Sequence, residues 1–439
     1  MKFNLLDPEN KWLPVVSIDG TSLTVSVLEA FGDNIKDLDL TRPEFATGMK
    51  RFLIGLLQAV HPAAGKDQWT KVFENGLIFD KILSGLKKLE PFFDLEGKNR
   101  FLQLKTKETL AFDSCNTKCE KGCVSISRLL LETPADKTIN DNLDIFVKRG
   151  RIQCMCPRCA AMSLWTHQIY AMQGGRGYRS SPTGATASQI FIDANDDAMP
   201  LWKRLWLNID SQMLGADLTR PETFLPWLLD YSNEFPEFMN QVLTSEHVKF
   251  WMCPRVVRLI PDEIPQKCDL CGIRGEYSYR KFYTKPAPIK YKGLMLPFIL
   301  YYTKDSEIYP SPVQSLNIFS DWARLLLGKS IKKGQMVPGS INNLTPRFLH
   351  AVNKKGVAIS IEVSGFWQSD QNRFSPSRWS EVKFPFYQIE DPNIREEFLD
   401  VLQEMAKQAE VFVGIFKKIC DPDQERFGKE GFFGDPEKR

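Results

Sequence analysis

Long apolar runs are absent from this sequence of 439 residues. No uninterrupted apolar stretch reaches the roughly 18 residues that a transmembrane helix needs. The opening residues, MKFNLLDPENKW, place charges and a proline where a signal peptide carries an apolar run. We therefore expect a cytoplasmic protein. In that reducing compartment, cysteines that are paired along the chain indicate a metal site before they indicate disulfides.

Catalytic motifs are absent too. The sequence has no Walker A motif and no nucleophile elbow, and the glycines of QGGRGYR follow a predicted helix, whereas those of a dinucleotide fingerprint follow a strand. The histidines are scattered, without the spacing of metal ligands: His61, His167, His247 and His350. One acidic cluster, DANDDA from residue 193, is either a cation site or, as is usual, a solvated loop. These absences predict a protein that is not an enzyme.

The composition is that of a globular protein, with 43% hydrophobic and 12% aromatic residues. Its length predicts two or three domains. The formal net charge of +3 neither requires nor excludes a polyanionic partner. The distribution of charge is therefore more informative than its sum.

Local patterns predict a mixture of helices and strands. The pentapeptide LTRPE occurs at 40–44 and again at 218–222, and we interpret both copies as helix starts with threonine as N-cap. Residues 160–172 predict a further helix. Alternating apolar residues from Val357 to Val363, a polar tip and the run RWSEVKFPF together predict a long hairpin.

After Pro392 the apolar residues recur at steps of three and four, which predicts one helix of about seven turns. They are Ile394, Phe398, Leu402, Met405, Ala409, Phe412, Phe416 and Ile419. One helix cannot bury this stripe by itself. We expect the stripe to dock on the main domain, on a missing helical bundle or on another subunit.

Two paired-cysteine knuckles stand more than a hundred residues apart. The first lies in CMCPRC, with Cys156 and Cys159, and the second in CDLC, with Cys268 and Cys271. C-x2-C is the shortest segment that wraps two thiolates around one zinc ion, so two knuckles complete one tetrahedral site. The sequence thus predicts a zinc ribbon with one structural zinc ion, whose connecting loop has grown into a subdomain.

A second cysteine group, CNTKCEKGC, is a weaker metal candidate. It places Cys115, Cys119 and Cys123 at four-residue steps without an obvious fourth ligand, although Cys154 could complete the set. We favour a lysine-rich surface loop with free thiols.

Positive charge concentrates in three segments that are predicted to be extended or loop-like: FVKRGR (146–151), GGRGYR (174–179) and YRKFYTKPAPIKYK (279–292). Basic residues beside aromatic residues and glycines suit phosphate contacts and base stacking. Two of the segments adjoin the zinc knuckles. We therefore expect the zinc site to draw them together into a nucleic-acid surface.

These motifs, in this order, resemble the large subunit of the type I-E CRISPR surveillance complex Cascade, the CasA family. NLLDPENKWLPV is similar to the start of that family, and IFVKRGRIQCMCPRCAAMSLW is similar to its guide-contacting loop and first zinc knuckle. QGGRGYRSSPTGA resembles its glycine loop, CDLCG its second knuckle, and VSGFWQSDQNRFSPSRWSE its hairpin. The resemblance runs from about residue 3 to about residue 420.

The resemblance implies recognition of a protospacer-adjacent motif through the minor groove of double-stranded DNA, followed by strand separation that starts R-loop formation. It implies motif contacts at Gln173, Gly174, Gly175, Arg176, Gly177 and Lys285. It implies a strand wedge at Gln368, Ser369, Asp370, Gln371, Asn372 and Arg373. Contacts with the 5′ handle of the guide RNA fall at Phe146, Lys148 and Arg149, and zinc ligation falls on the four knuckle cysteines.

The implied fold is α+β: a mixed globular domain over 1–390 with the zinc ribbon, then a helical segment over 391–439, the remnant of a helical bundle. The implied partners are the guide RNA, the target duplex, the Cascade backbone and small subunits, and either the recruited helicase-nuclease or another nuclease component. The glycine loop carries Gln173 and Arg176 where the family is richer in glycine. The motif preference of the family therefore does not transfer to this chain.

Two other functions remain open from the residues alone. One is a metal-dependent nuclease that uses the acidic cluster at 193–197. The other is a ribonucleoprotein scaffold that grips RNA through Phe146 and its basic neighbours without reading DNA.

Overall fold

The computed structural model describes residues 3–114, 122–134, 136–142, 144, 147–170, 177–181, 187–194, 196–311, 323, 325–327, 334–343, 358–367, 378–386 and 391–420. The strands in chain order are β1 (Leu13–Ser17), β2 (Ser22–Val25), β3 (Ile35–Leu38), β4 (Cys123–Ser125), β5 (Gln189–Ala194), β6 (Val256–Asp262), β7 (Ser278–Lys285), β8 (Tyr301–Lys304), β9 (Glu307–Pro310), β10 (Ile359–Trp367) and β11 (Arg378–Pro385). The helices are α1 (Pro43–Val60), α2 (Lys66–Asn75), α3 (Phe79–Leu89), α4 (Lys107–Ser114), α5 (Asp136–Asn140), α6 (Pro157–Ile169), α7 (Leu201–Trp206), a short helix Gly339–Asn343 and a long helix Pro392–Cys420. The expected α+β class is confirmed.

The chain forms two compact units, each assembled from separate stretches of sequence. The first comprises Met1–Pro134, Val147–Ala185 and Asp196–Leu296. The second comprises Ala135–Phe146, Thr186–Asn195 and Pro297–Arg439. The boundary expected at residue 390 stays a prediction.

The core of the first unit is aromatic and centres on Phe52 of α1, which is fully buried. Its ring makes edge contacts with Trp12, Trp165 and Trp251, at centroid distances of 6.4, 5.8 and 5.9 Å. The Trp165 indole on α6 also donates a hydrogen bond to the Gly48 carbonyl of α1 (2.6 Å). This packing fixes α6, which begins at the first cysteine knuckle.

Two small antiparallel sheets complete the first unit, in the orders β2-β1-β3 and β4-β7-β6. In the second sheet β7 is the central strand, and a register irregularity lies in β6 between Ile260 and Pro261. β7 begins seven residues after Cys271 and ends at Lys285. The central strand of this sheet therefore links the second knuckle to Lys285.

The second unit contains the sheet β11-β10-β5, with both pairings antiparallel, and the hairpin β8-β9. β10 pairs with β11 in continuous register from Ser360↔Pro385 to Trp367↔Arg378. The predicted hairpin is confirmed. The alternation of apolar and polar residues in its first strand was a sufficient signal because a strand places successive side chains on opposite faces. In the structure both faces of this strand are buried, since Ser360, Glu362 and Ser364 are buried as well.

The long helix confirms the helix predicted after Pro392. Among its described side chains, Leu402 packs with Ala323 and Leu327, flanked by Phe398 and Leu399. Other members of the stripe are exposed: Ile394, Met405 and Phe412.

The two copies of LTRPE adopt different structures. The first opens α1, but the N-cap is Arg42, so the N-cap predicted at Thr41 is off by one residue. The second copy forms only a 3-10 turn, Pro221–Thr223, so the helix predicted there is wrong. Pro226 follows closely, and a proline lacks the N–H that a continuing helix requires.

Candidate metal centre and nucleic-acid interface

The chain turns at each cysteine knuckle because of residues within or next to the knuckle. Cys156 is the N-cap of α6, Pro157 occupies the first helical position, and the Ala160 N–H donates to the Cys156 carbonyl (2.9 Å). Proline is favoured at this position because its N–H would be unpaired anyway. In the second knuckle the Gly272 N–H donates to the Cys268 carbonyl (2.9 Å), and Gly272 has a φ of +73°, which glycine adopts without strain.

The two knuckles meet in one cluster. The four sulfur atoms of Cys156, Cys159, Cys268 and Cys271 all lie within 4.8 Å of one another. The Cys156 and Cys271 sulfurs are 3.6 Å apart. Tetrahedral zinc with Zn–S bonds of about 2.3 Å requires sulfurs about 3.8 Å apart, so the geometry suits that ion. The predicted meeting of these four residues is confirmed.

The electrostatics of the cluster also favour a cation. Hydrogen bonds from Cys156, Cys159 and Cys268 hold the pKa of Cys271 far below its usual range. Hydrogen bonds with the other three thiols raise the pKa of Cys159. Four thiolates this close repel one another, and a divalent cation is what allows all four to bind as thiolates.

Two residues inside the knuckles support the cluster and were not singled out from the sequence. Burial lowers the pKa of Arg158, but a hydrogen bond to Cys271 and the neighbouring thiolates outweigh this and raise it. The Asp269 carboxylate accepts hydrogen bonds from the N–H groups of Gln153 (2.8 Å) and Cys154 (2.9 Å). Arg158 and Asp269 each occupy a variable position between the two cysteines of a C-x2-C motif. That position in the sequence is the signal that could have identified them.

A backbone bridge further ties the knuckles together. The Met155 N–H donates to the Tyr279 carbonyl (2.9 Å), and the Tyr279 N–H donates to the Met155 carbonyl (2.8 Å). The stretch before the first knuckle is thus paired with β7, which follows the second.

The second cysteine group differs from expectation. Cys123, in β4, is disulfide-bonded, so the expectation of a free thiol is wrong at this position. Its partner is not among the described side chains, and Cys115 and Cys119 lie outside the described residues. Cys154 is buried and is a free thiol.

Two of the residues assigned to motif reading come together in the first unit. The Ala287 N–H donates to the Gly177 carbonyl (3.2 Å), which places the end of the glycine loop beside the segment that leaves β7 at Lys285. Gly177 has a φ of +85°, and a Cβ there would lie 2.7 Å from the Pro286 side chain. Only glycine therefore fits this close approach.

Lys285 forms an ion pair that the sequence did not predict. Its Nζ lies 2.5 Å from a carboxylate oxygen of Glu108, in the first turn of α4. Glu108 also accepts a hydrogen bond from the Thr106 hydroxyl (3.0 Å). These contacts, the Lys285 hydrogen bond foremost, lower the pKa of Glu108 below its usual value.

Other predicted site residues are exposed or lie outside the described part of the chain. Lys148 and Arg149 are exposed beside Gly150, which has a φ of +70°. Phe146, Gln173 to Arg176 and the hairpin tip Gln368 to Arg373 lie outside the described residues. The roles assigned to these residues stay predictions.

The acidic cluster offers no assembled cation site within the described residues. Asp193 pairs with Lys383 (2.9 Å), Asp197 pairs with Lys36 (2.9 Å), and Asp196 accepts a hydrogen bond from the Ala198 N–H (2.9 Å). Among the residues that the structure describes, the four knuckle cysteines form the one metal-capable group of three or more side chains.

The histidines have structural surroundings where they are described. His61 accepts a hydrogen bond from the Ile78 N–H (3.1 Å), and a ring nitrogen of His247 lies 2.8 Å from the Leu214 carbonyl. Burial lowers the pKa of His167 to about 3, so its ring is neutral near pH 7. None of the helices in the described stretches is both long and apolar enough to cross a membrane.

Comparison with solved structures finds the same fold. Thermus thermophilus CasA (Cse1) matches with a TM-score of 0.65 and 17% identity, over 97% of this chain and 86% of that chain. Cse1 from Acidimicrobium ferrooxidans matches with a TM-score of 0.60 and 15% identity, over 92% and 75%. A chain of a CRISPR RNA-guided surveillance complex matches with a TM-score of 0.67 and 14% identity, over 98% and 84%.

Comparison at the level of sequence gives the family. No curated protein matches the chain. The model of the family described as CRISPR-associated protein Cse1 matches residues 4–432, which is nearly the whole chain. The resemblance drawn from the order of the motifs is therefore confirmed, and the chain belongs to the CRISPR-associated protein Cse1 family.

Proposed function

We propose that this chain is the large, non-catalytic subunit of a cytoplasmic RNA-guided surveillance complex, and that it recognises the protospacer-adjacent motif of double-stranded DNA through the minor groove. Family membership and the likeness to a surveillance-complex chain support the assembly. The observation that carries the recognition role is the hydrogen bond between Gly177 and Ala287, which joins the glycine loop to the segment around Lys285.

The glycine loop and Lys285 have the chemistry of a protein that binds the minor groove of DNA. Minor-groove proteins use lysine, arginine, asparagine and glutamine to read base edges, and glycine lets a backbone come close to DNA. Gln173 and Arg176 precede Gly177 in the same loop. In this proposal Lys285 exchanges its ion pair with Glu108 for acceptors on the base edges.

The hairpin tip from Gln368 to Arg373 is proposed to separate the strands beside the motif. The regular pairing of β10 with β11 supports this role, because a rigid stem can transmit force to its tip. The amide side chains of the tip can replace hydrogen bonds that are lost when a base pair opens. Guide pairing then continues the opening, as in other RNA-guided systems.

Zinc is the proposed ion of the four-cysteine cluster, with a structural role. A site with four thiolates has no open position for a substrate. The ion would hold residues 147–151 beside β7. Phe146, Lys148 and Arg149 are proposed to contact the 5′ handle of the guide RNA, and the backbone subunits, small subunits and helicase-nuclease are the further proposed partners.

The test compares Lys285→Ala with the parent chain in the assembled complex, on duplexes that differ only in the flanking motif. We expect weaker binding and narrower discrimination, since a good base contact contributes about 1–3 kcal/mol. Lys71→Ala is the matched control, because Lys71 is an exposed cation on α2 outside the proposed contact segments. If Lys285→Ala binds every flank as the parent does, Lys285 does not read the motif.

The same experiment separates the alternatives. If the chain is a scaffold that binds only RNA, the affinity for the duplex will not depend on the flanking motif. This will hold for the parent chain and for Lys285→Ala alike. A nuclease would cut DNA in the presence of a divalent cation without further proteins. The described carboxylates of the acidic cluster already have protein partners, which disfavours that activity.

A further inference from the structure

A polar cavity of about 440 Å³ opens beside the four-cysteine cluster, in the first unit. Its lining includes four cations, Arg151, Lys267, Arg274 and Arg280, together with Gln153 and Asp269. Arg151 belongs to the first basic segment and Arg280 to the third. The expectation that the knuckles draw these two segments together is thus confirmed.

The charge of this cavity is unbalanced. Among the described residues, none of the four cations forms a salt bridge, and Arg274 has only a long hydrogen bond to the Pro265 carbonyl (3.4 Å). The single carboxylate, Asp269, is already engaged by two backbone N–H groups. All four cationic side chains are exposed, so a ligand in solvent can reach them.

Backbone pairing at the second knuckle holds one wall of the cavity in place. Lys267 and Arg274 face each other across an antiparallel bridge that closes the second knuckle. Inside that bridge the Cys268 N–H donates to the Ile273 carbonyl (2.9 Å). A concave and preorganised arrangement of cations loses less entropy on binding than the same charges on mobile loops.

We propose that this cavity binds phosphodiester groups of a nucleic-acid backbone, independently of base sequence. Four cations against one engaged carboxylate exclude a metal ion and an apolar ligand. Three guanidinium groups, each with a planar set of donors, match the oxygens of phosphate. The source of the phosphate, guide RNA or target DNA, rests on the proposed function, whereas the phosphate chemistry rests on the cavity alone.

Salt-dependent binding of the full-length chain tests this proposal. Arg274→Gln and Arg280→Gln remove charge without touching the zinc ligands, and Lys71→Gln is the control with an equal loss of charge. Each variant is titrated with a single-stranded RNA oligonucleotide and with a blunt DNA duplex over a series of salt concentrations. Zinc content is measured for every variant, so that a damaged metal centre is recognised.

We expect each cavity variant to weaken binding about tenfold and to reduce the slope of log K against log salt by about 1, because one phosphate contact is lost. Weaker binding of the RNA oligonucleotide alone would show that the cavity binds the guide RNA. Weaker binding of the duplex alone would show that it binds the target DNA. The proposal is overturned if both variants, with intact zinc, bind both probes as the parent does, or if Lys71→Gln weakens binding equally.

This outcome is distinct from failure of the proposed function. Cavity variants change affinity for all sequences alike, whereas the motif-reading role concerns differences between flanks. Normal cavity binding with no flank discrimination would contradict the function alone. Flank discrimination with no effect of the cavity variants would contradict this inference alone.

Discussion

Glu108→Gln should tighten binding of the target duplex, because it releases Lys285. A Glu108 carboxylate oxygen lies 2.5 Å from the Lys285 Nζ. The Glu108 side chain is 45% exposed and the Lys285 side chain is 25% exposed. Ion pairs with this degree of exposure contribute about 0.2–1 kcal/mol. Since 1.4 kcal/mol corresponds to a factor of ten, releasing the pair should increase affinity up to about fivefold.

A double-mutant cycle isolates this effect. Glu108→Gln also removes a negative charge that repels DNA, and that contribution does not require Lys285. Affinities are therefore measured for the parent, Glu108→Gln, Lys285→Ala and the double variant, by titration of the assembled complex with one duplex. We expect the gain from Glu108→Gln to shrink in the Lys285→Ala background.

The pH dependence provides an independent check. Because contacts led by Lys285 lower the pKa of Glu108, the pair stabilises the folded chain fully above the unfolded-state pKa. This stabilisation is lost only as pH falls through the lower folded-state pKa. Between about pH 6 and pH 8 the effect of Glu108→Gln should therefore be constant. An equal gain in both backgrounds would refute the reasoning, as would a gain that disappears within this range.

Further predictions concern the metal, the hairpin tip and two helical glycines. Cys268→Ser should lower the zinc content from one ion per chain and increase hydrogen exchange at the first knuckle as well as at its own loop; unchanged zinc would contradict the ligand assignment. Replacing both Gln371 and Asn372 with alanine should slow strand opening on an intact target, but not on a target that is already mismatched beside the motif. If the variant opens intact DNA at the rate of the parent, the tip does not act as a wedge. Gly85→Ala should destabilise the first unit by about 1–3 kcal/mol, because the new Cβ would lie 2.6 Å from a side-chain carbon of α1. Gly414→Ala, with nothing within 4 Å of its new Cβ, should instead stabilise the long helix by about 0.5–1 kcal/mol in denaturant titrations, and equal effects of the two substitutions would contradict the packing argument.

The features that the sequence predicted well depend on short-range rules. The four clustered cysteines were identifiable because C-x2-C spacing is a local requirement of metal geometry, and the structure brings their sulfur atoms within 4.8 Å of one another. The hairpin and the long helix were identifiable because periods of two and 3.6 residues follow from backbone geometry. The order of motifs was sufficient for the family, although solved relatives share only 14–17% identity with the chain.

The features that the sequence did not predict depend on which distant segments meet. Glu108 pairs with Lys285 across 177 positions, and no local pattern marks either residue for the other. Lys267 and Arg274 become part of a cavity with Arg151 only after the knuckles close.

The sequence by itself determined the four-cysteine cluster, the hairpin, the long helix and the family, because each is encoded in spacing or in the order of motifs. Tertiary structure decided the rest, as the two copies of LTRPE demonstrate. The same five residues begin an 18-residue helix at Pro43 and a three-residue turn at Pro221. A helix start contributes only about 1 kcal/mol. The apolar face that follows the first copy is buried against the core, whereas Pro226 interrupts the second. Burial outweighs capping because its free energy grows with every apolar side chain removed from water.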